Sequence, residues 1–224
     1  MSHDPIAVSM DALAQTLGDI AALKKEARWR EIETAIGRSL RRFVSVSPKE
    51  FARLTETGML AELAKHGPTI WVPYKRIMVI ALLKEAGDCA ATKRPGGGYG
   101  WYLKALHLLL DALARDELWK YSRLVPEVES LVACLEGSSL PVRTRVLLMR
   151  EYERQGQFGK VRCEFVAAIE KSPKNRKLLD FGTAFFERLG RESDATLVAA
   201  GLPRCEVNAV LLELAAAKSG LRIR

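Results

Sequence analysis

Arginines are the side chains in this sequence best placed to do chemistry. Arg143, Arg150 and Arg154 stand at i, i+7 and i+11, which puts them on one stripe of a helix. Each guanidinium offers a planar fork of donors, so such a stripe suits carboxylates: an acidic peptide or a chain-terminal carboxylate. Glu151 and Glu153 partly neutralise it. A second cluster comprises Arg38, Arg41, Arg42, Lys49 and Arg53, with Trp29 and Phe43 nearby in sequence. Lys and Arg groups so gathered could neutralise the phosphates of RNA or DNA. The two aromatics fall at core spacing, however, and no nucleic-acid motif accompanies the charge. A nucleic-acid-associated regulator is therefore the second functional reading.

Catalytic patterns are absent. The three histidines, His3, His66 and His107, have no second His or Cys at metal-ligand spacing. His107 lies in a leucine-rich segment, as a satisfied core residue does. No H-E-x-x-H, G-x-S-x-G or Cys/His nucleophile pattern occurs. The segment Lys93 to Gly100 reads KRPGGGYG, but a phosphate loop needs G-x-x-x-x-G-K-[ST] after a strand, and neither is present. A flexible connector is expected there, long enough to let Tyr99 or Trp101 meet a partner. Neither an enzyme nor a cofactor is expected.

The bulk numbers agree with a globular protein. The chain has 224 residues, 48% hydrophobic and 28% charged, with Lys and Arg exceeding Asp and Glu by 35 to 27. That length can bury a real core. The net charge of +8 favours acidic partners, nucleic acid or an anionic surface. None of the four cysteines, Cys89, Cys134, Cys163 and Cys205, forms a C-x-x-C pair. Buried free thiols in a reducing compartment are expected rather than a disulfide framework. The longest unbroken apolar run, Ile77 to Leu83, is too short to cross a bilayer. The N-terminus, with Asp4 and Pro5, shows no long apolar run of a signal peptide. These features predict a cytoplasmic protein without a membrane span.

Helical periodicity runs through the chain. Met10, Leu13, Leu17 and Ile20 share a face, as do Trp29, Ile32, Ile36, Leu40 and Phe43; the short link between them demands an antiparallel hairpin. Ser47, Pro48 and Glu50 form a helix start with a capping box. Gly58 is expected to divide the following segment into two short helices, which His66-Gly67-Pro68 ends. Pro73 opens a helix whose residues Ile77 to Leu83 are apolar all round, so neighbours must bury it on several sides. Trp101 to Ala114 is helical, and short helices are expected over Glu117 to Val125 and Pro126 to Leu135. No segment alternates as a strand does.

A repeat of tetratricopeptide length, 34 residues, then becomes visible. With Val142 as position 1, Leu148 takes position 7, Tyr152 position 11, Gly156 position 15 and Phe158 position 17. Phe165 falls on 24, Ala168 on 27 and Pro173 on 32. Met149 and Val161 are larger than the small residues usual at 8 and 20, which predicts a wider helix crossing. One period on, Tyr152 maps to Phe186, Gly156 to Gly190 and Val161 to Ala195, until Gly201-Leu202-Pro203 interrupts the copy. A last helix carries Val207, Val210, Leu211 and Leu214. Weaker echoes occur at Trp29, Ile32 and Ile36, and at Tyr102 and Ala105.

In that repeat geometry the first helix lines a concave groove with Arg143, Val146, Leu147, Arg150, Glu153 and Arg154, and the next copy adds Lys177 and Arg188. The chain also resembles, over nearly its whole length, an uncharacterised bacterial family of helical, tetratricopeptide-like proteins. Tyr102-Leu103-Lys104-Ala105-Leu106, Leu108-Leu109-Leu110, Tyr152 to Phe165, Phe186-Glu187-Arg188-Leu189 and Leu202 to Val207 carry the resemblance. It implies a fold and no activity.

The expected protein is all-α: antiparallel helical hairpins stacked as a short tetratricopeptide-like α-solenoid. Residues 1–94 form an N-terminal part, 95–100 a glycine-rich connector and 101–224 the repeat part, together one continuous domain. The expected function is a non-catalytic interaction module or adaptor. It would hold an acidic partner segment through Arg143, Val146, Leu147, Arg150, Arg154, Lys177 and Arg188. Solenoid ends can also pair with themselves, which is compatible with a homodimer.

Overall fold

The computed structural model describes residues 5–65, 68–117 and 122–219. Regular structure among them is helical throughout, with no strand. The chain divides into two compact units, Met1–Ser138 and Ser139–Arg224.

The first unit opens with a hairpin of α1 (Pro5–Lys25) and α2 (Trp29–Leu40). Met10, Leu13, Ile20, Ile32, Ile36 and Leu40 are buried, as their spacing predicts. At the turn, Arg28 N–H donates to the Leu23 carbonyl at 3.0 Å and Ala27 N–H to that of Lys24 at 3.1 Å. This pair of bonds closes a helix through a left-handed residue, here Ala27 with φ of 53°. By length and composition, residues 6–25 are long and apolar enough to cross a membrane. Asp11 and Asp19 interrupt every long apolar run in this helix, so a search for an unbroken run passes over it.

Next come α3 (Pro48–Phe51) and α4 (Glu56–Ala64). The Ser47 capping box is present, with Ser47 N–H donating to Glu50 at 2.8 Å and Glu50 N–H to Ser47 Oγ at 3.3 Å. Gly58 does not divide this segment. The break lies at residues 52–55, and Gly58 sits inside α4 with its N–H donating to Thr55 Oγ1 at 3.1 Å. Thr55 restarts the helix as an N-cap before the glycine is reached. His66 and Gly67, two of the three residues of the expected stop, lie outside the described residues.

Helix α5 (Val72–Lys93) follows a 3-10 turn at Thr69–Trp71. Ile77, Met78, Val79, Ile80, Ala81, Leu82 and Leu83 are all buried. Six described elements pack around it: α1, α2, α4, this 3-10 turn, α6 (Tyr99–Ala114) and a second 3-10 turn at Ser122–Leu124. An all-apolar circumference therefore does report a helix enclosed on all sides.

The glycine-rich segment is a packed turn, not a flexible connector. Gly97 N–H donates to Arg94 O at 3.0 Å and Tyr99 N–H to Gly96 O at 3.1 Å. A Cβ at Gly98 would lie 2.4 Å from the Tyr102 ring and 2.6 Å from Gly87 O, and one at Gly97 would lie 2.3 Å from Ala90 O. The glycines are there because α5 and α6 approach too closely for side chains. The turn lies within the first unit, and the unit boundary falls at Ser138. That unit ends with a 3-10 turn at Ser122–Leu124 and α7 (Val128–Ala133); residues 118–121 of the helix expected over Glu117 to Val125 are outside the described residues.

In the second unit, α8 (Val142–Arg154) and α9 (Phe158–Lys171) pack as a hairpin. Its turn carries the same two bonds as the first hairpin: Gln157 N–H to Tyr152 O at 2.8 Å and Gly156 N–H to Glu153 O at 2.9 Å. Gly156 takes the left-handed position at φ of 69°. Leu148, Tyr152, Val161, Phe165 and Ala168 are buried at the positions assigned to them by periodicity. Helix α10 (Arg176–Leu189) then packs mainly against α12 (Arg204–Lys218), while the intervening α11 (Asp194–Ala199) is short. Gly201, at φ of 72°, ends α11 as the sequence predicts.

All four cysteines are free, but only Cys89 is buried; Cys134, Cys163 and Cys205 are exposed. The expectation of buried thiols fails for those three because a cysteine fits the boundary of an amphipathic helix as readily as its core.

Candidate functional site

Helix α8 carries most of the predicted face. Its buried side holds Thr144, Leu148, Met149, Glu151 and Tyr152. The opposite side exposes Arg143, Arg150 and Arg154, with Val146 and Leu147 half-buried between them. The stripe is thus real as an arrangement on one helix. Lys177 and Arg188 are exposed on α10.

The arginines differ in what they touch. Arg154 grips Glu151 through two bonds, Nη2 to Oε1 at 2.7 Å and Nε to Oε2 at 3.0 Å. Glu151 is only 5% exposed and also accepts from Gln155 Nε2 at 2.7 Å. Arg154 therefore serves a buried carboxylate of its own helix. Arg188 pairs with Glu153, which ties α10 to α8, and its guanidinium lies over the Phe185 ring at 5.4 Å. Arg145, outside the predicted set, pairs with Glu164 of α9 at 2.7 Å with both side chains largely covered. Arg143, Arg150 and Lys177 are exposed on this face, and among the described residues neither Arg150 nor Lys177 pairs with a carboxylate.

Periodicity did not reveal three contributors. Glu151 and Arg154 stand three apart on a helix, a spacing that pairs opposite charges and was readable in the sequence. The Glu153–Arg188 pair joins two helices, so no local rule finds it. Gly182 on α10 is the third: a Cβ there would lie 2.1 Å from the Phe165 ring, so this glycine is the seat of that ring. Phe165 also meets Phe186 edge-on, with centroids 5.4 Å apart.

The other basic cluster lies in the first unit. Arg38, Arg41 and Arg42 are exposed at the C-terminal end of α2 and, with Thr34, line a concavity of about 440 Å³. Arg53 is exposed in the stretch after α3. Trp29 and Phe43 are half-buried, in keeping with their core spacing. A second hollow of about 390 Å³ is apolar and lies between α2 and α5. Ile36, Leu40, Cys89 and Trp101 line it, and the Lys93–Glu33 pair at 2.5 Å stands at its rim. Burial, with Glu33 nearby, pushes the Cys89 thiol up to about 11, so it is a protonated wall residue at neutral pH.

The first unit also folds charges inward. Asp88 accepts from Tyr102 Oη at 2.9 Å and Lys84 Nζ at 2.7 Å and pairs with Lys24, which also reaches Glu85 at 2.5 Å. Burial opposes the Asp88 charge, but the Lys24 and Lys84 hydrogen bonds outweigh it and hold the carboxyl below its ordinary range. Burial likewise opposes the Lys24 charge, and Asp88 and Glu85 overcome it, so that ammonium is held above its ordinary range. His107 is buried with Nδ1 2.5 Å from Glu56, a satisfied core residue as its setting predicts. Among the described residues no group of three metal-ligating side chains converges. Compared with family models, curated proteins and solved structures, the chain matches none.

Proposed function

We propose that the second unit is a tetratricopeptide-like interaction module that docks an acidic segment of a partner protein along the outer face of α8. The observation that carries this reading is the exposed pair Arg143 and Arg150 on either side of half-buried Val146 and Leu147. Apolar contact would supply affinity there, and the guanidinium forks would supply orientation. The repeat assignment is supported by the α8–α9 hairpin, its left-handed glycine turn and the burial of Leu148, Tyr152, Phe165 and Ala168 at their repeat positions. The resemblance to tetratricopeptide-like bacterial proteins points the same way. Arg154 and Arg188, which hold Glu151 and Glu153, border this face.

The test is charge reversal at Arg143 and Arg150, leaving Arg154 intact because Glu151 depends on it. A poly-glutamate peptide is the simplest probe. The double variant R143E/R150E should lose at least about tenfold in affinity, or 1.4 kcal/mol, with an unaltered unfolding curve. Equal binding by wild type and variant sinks the proposal.

A further inference from the structure

Several charged side chains of the first unit pair with one another. Lys24 and Lys84 share Asp88, Arg76 pairs with Asp111 at 2.8 Å and Glu117 at 2.7 Å, and Lys93 pairs with Glu33. Arg38, Arg41 and Arg42 differ in standing together around one concavity. Among the described residues, none of the three pairs with a carboxylate, although they occupy little more than one turn at the end of α2. The nearby acids are already engaged: Glu31 by Arg28, Glu33 by Lys93 and Glu50 by the Ser47 backbone. The negative end of α2 offsets part of the repulsion among the three cations. It supplies no oxygen for their forks.

The three side chains border one hollow instead of lying along a groove. A single carboxylate is filled by one guanidinium fork, whereas a phosphoryl group presents three oxygens and up to two charges to several. Nucleic-acid binding would also call for exposed aromatic platforms or a charged track. Trp29 and Phe43 are half-buried, and the hollow, about 440 Å³, has the size of a small-ligand site.

We propose that Arg38, Arg41 and Arg42 form a site for the phosphoryl group of a small phosphorylated molecule. The site lies in the first unit and does not depend on the acidic-segment reading of the second.

Pyrophosphate is the probe, titrated calorimetrically into the 224-residue chain at about 0.15 M salt, where exposed charges farther apart than a Debye length are largely screened. Saturable binding near one equivalent is expected. The triple variant R38Q/R41Q/R42Q should weaken it at least about tenfold, while R53Q should leave it unchanged. Replacing all three by lysine keeps the charge and removes the forks, and this variant should fall in between. Circular dichroism of each variant separates lost binding from lost fold. Three results would overturn the proposal: no saturable heat, affinity unchanged in the glutamine variant, or full affinity in the lysine variant. Binding of a single-stranded oligonucleotide without binding of pyrophosphate would overturn it too, in favour of a phosphodiester-chain surface.

Discussion

Both units seat an aromatic ring where glycine leaves room, yet they hold that ring in different ways. In the first, Tyr102 lies against Gly87 and Gly98, and its hydroxyl reaches Asp88 inside a cluster with Lys24, Lys84 and Glu85. In the second, Phe165 lies on Gly182 and meets Phe186 edge-on, and Phe186 meets Phe185. The turns differ too. The left-handed positions of the first unit include Ala27 and Asp116 beside Gly96 and Gly137, whereas among the described residues those of the second are the glycines Gly156 and Gly201. The Tyr102 ring is thus hydrogen-bonded directly to a charged group and the Phe165 ring is not, and two turns of the first unit carry a strain that glycine avoids.

The coupling gives the largest expected effect. Asp88→Asn should cost about 3 kcal/mol at pH 7, the upper range for hydrogen bonds to a charged group. The folded Asp88 carboxyl is held below its unfolded value of about 3.9, so its contribution is present above that pH and is lost as pH falls through the folded value. The folded Lys24 lies above the unfolded value of about 10.4, so its contribution is complete below that pH and is lost as pH rises through the folded value. Urea unfolding of wild type and variant should therefore differ most between roughly pH 5 and 9 and converge in acid. A gap independent of pH would break the contrast between the two seats.

A smaller effect is expected at the seats themselves. Gly98→Ala and Gly182→Ala each place a methyl group inside a ring and should cost about 1–2 kcal/mol by overpacking. Gly100→Ala, with nothing within 4 Å of the added carbon, should be neutral or slightly stabilising. Hydrogen exchange read over 72–114 and 158–189 assigns each loss to its unit. If Gly98→Ala proved as harmless as Gly100→Ala, the turn would be a loose connector after all. The smallest effect concerns the turns: Ala27→Gly should stabilise by roughly 0.5–1 kcal/mol, and Gly156→Ala should destabilise by a similar amount, in thermal melts.

Local signals in the sequence proved readable and long-range ones did not. The Ser47 capping box, the enclosed run Ile77 to Leu83 and the Gly156 turn each follow from a few adjacent residues. The Thr55 cap was equally local, but Gly58 three residues on drew the break to itself. The packed glycine turn could not be read, because its tightness depends on Gly87 and Tyr102 on the facing helices. The candidate face was legible as a stripe of arginines. Which of them are occupied was half legible: Glu151 and Arg154 share a helix, while Glu153 and Arg188 do not. Burial of cysteines was the least readable, since composition and compartment say nothing about which side of a helix a thiol faces.

Cys89 makes the first unit its own clock. Three thiols face solvent and one is enclosed between α2 and α5. A maleimide reagent should modify Cys163 and Cys205 promptly, then Cys134, whose thiol pKa is raised by burial, and then stall. The fourth reacts only when α2 lifts from α5, and both enclosure and the raised thiol pKa hold it back until then. The delay before the last adduct appears in a mass spectrum is thus a measure, without any added label, of how often the first core breathes.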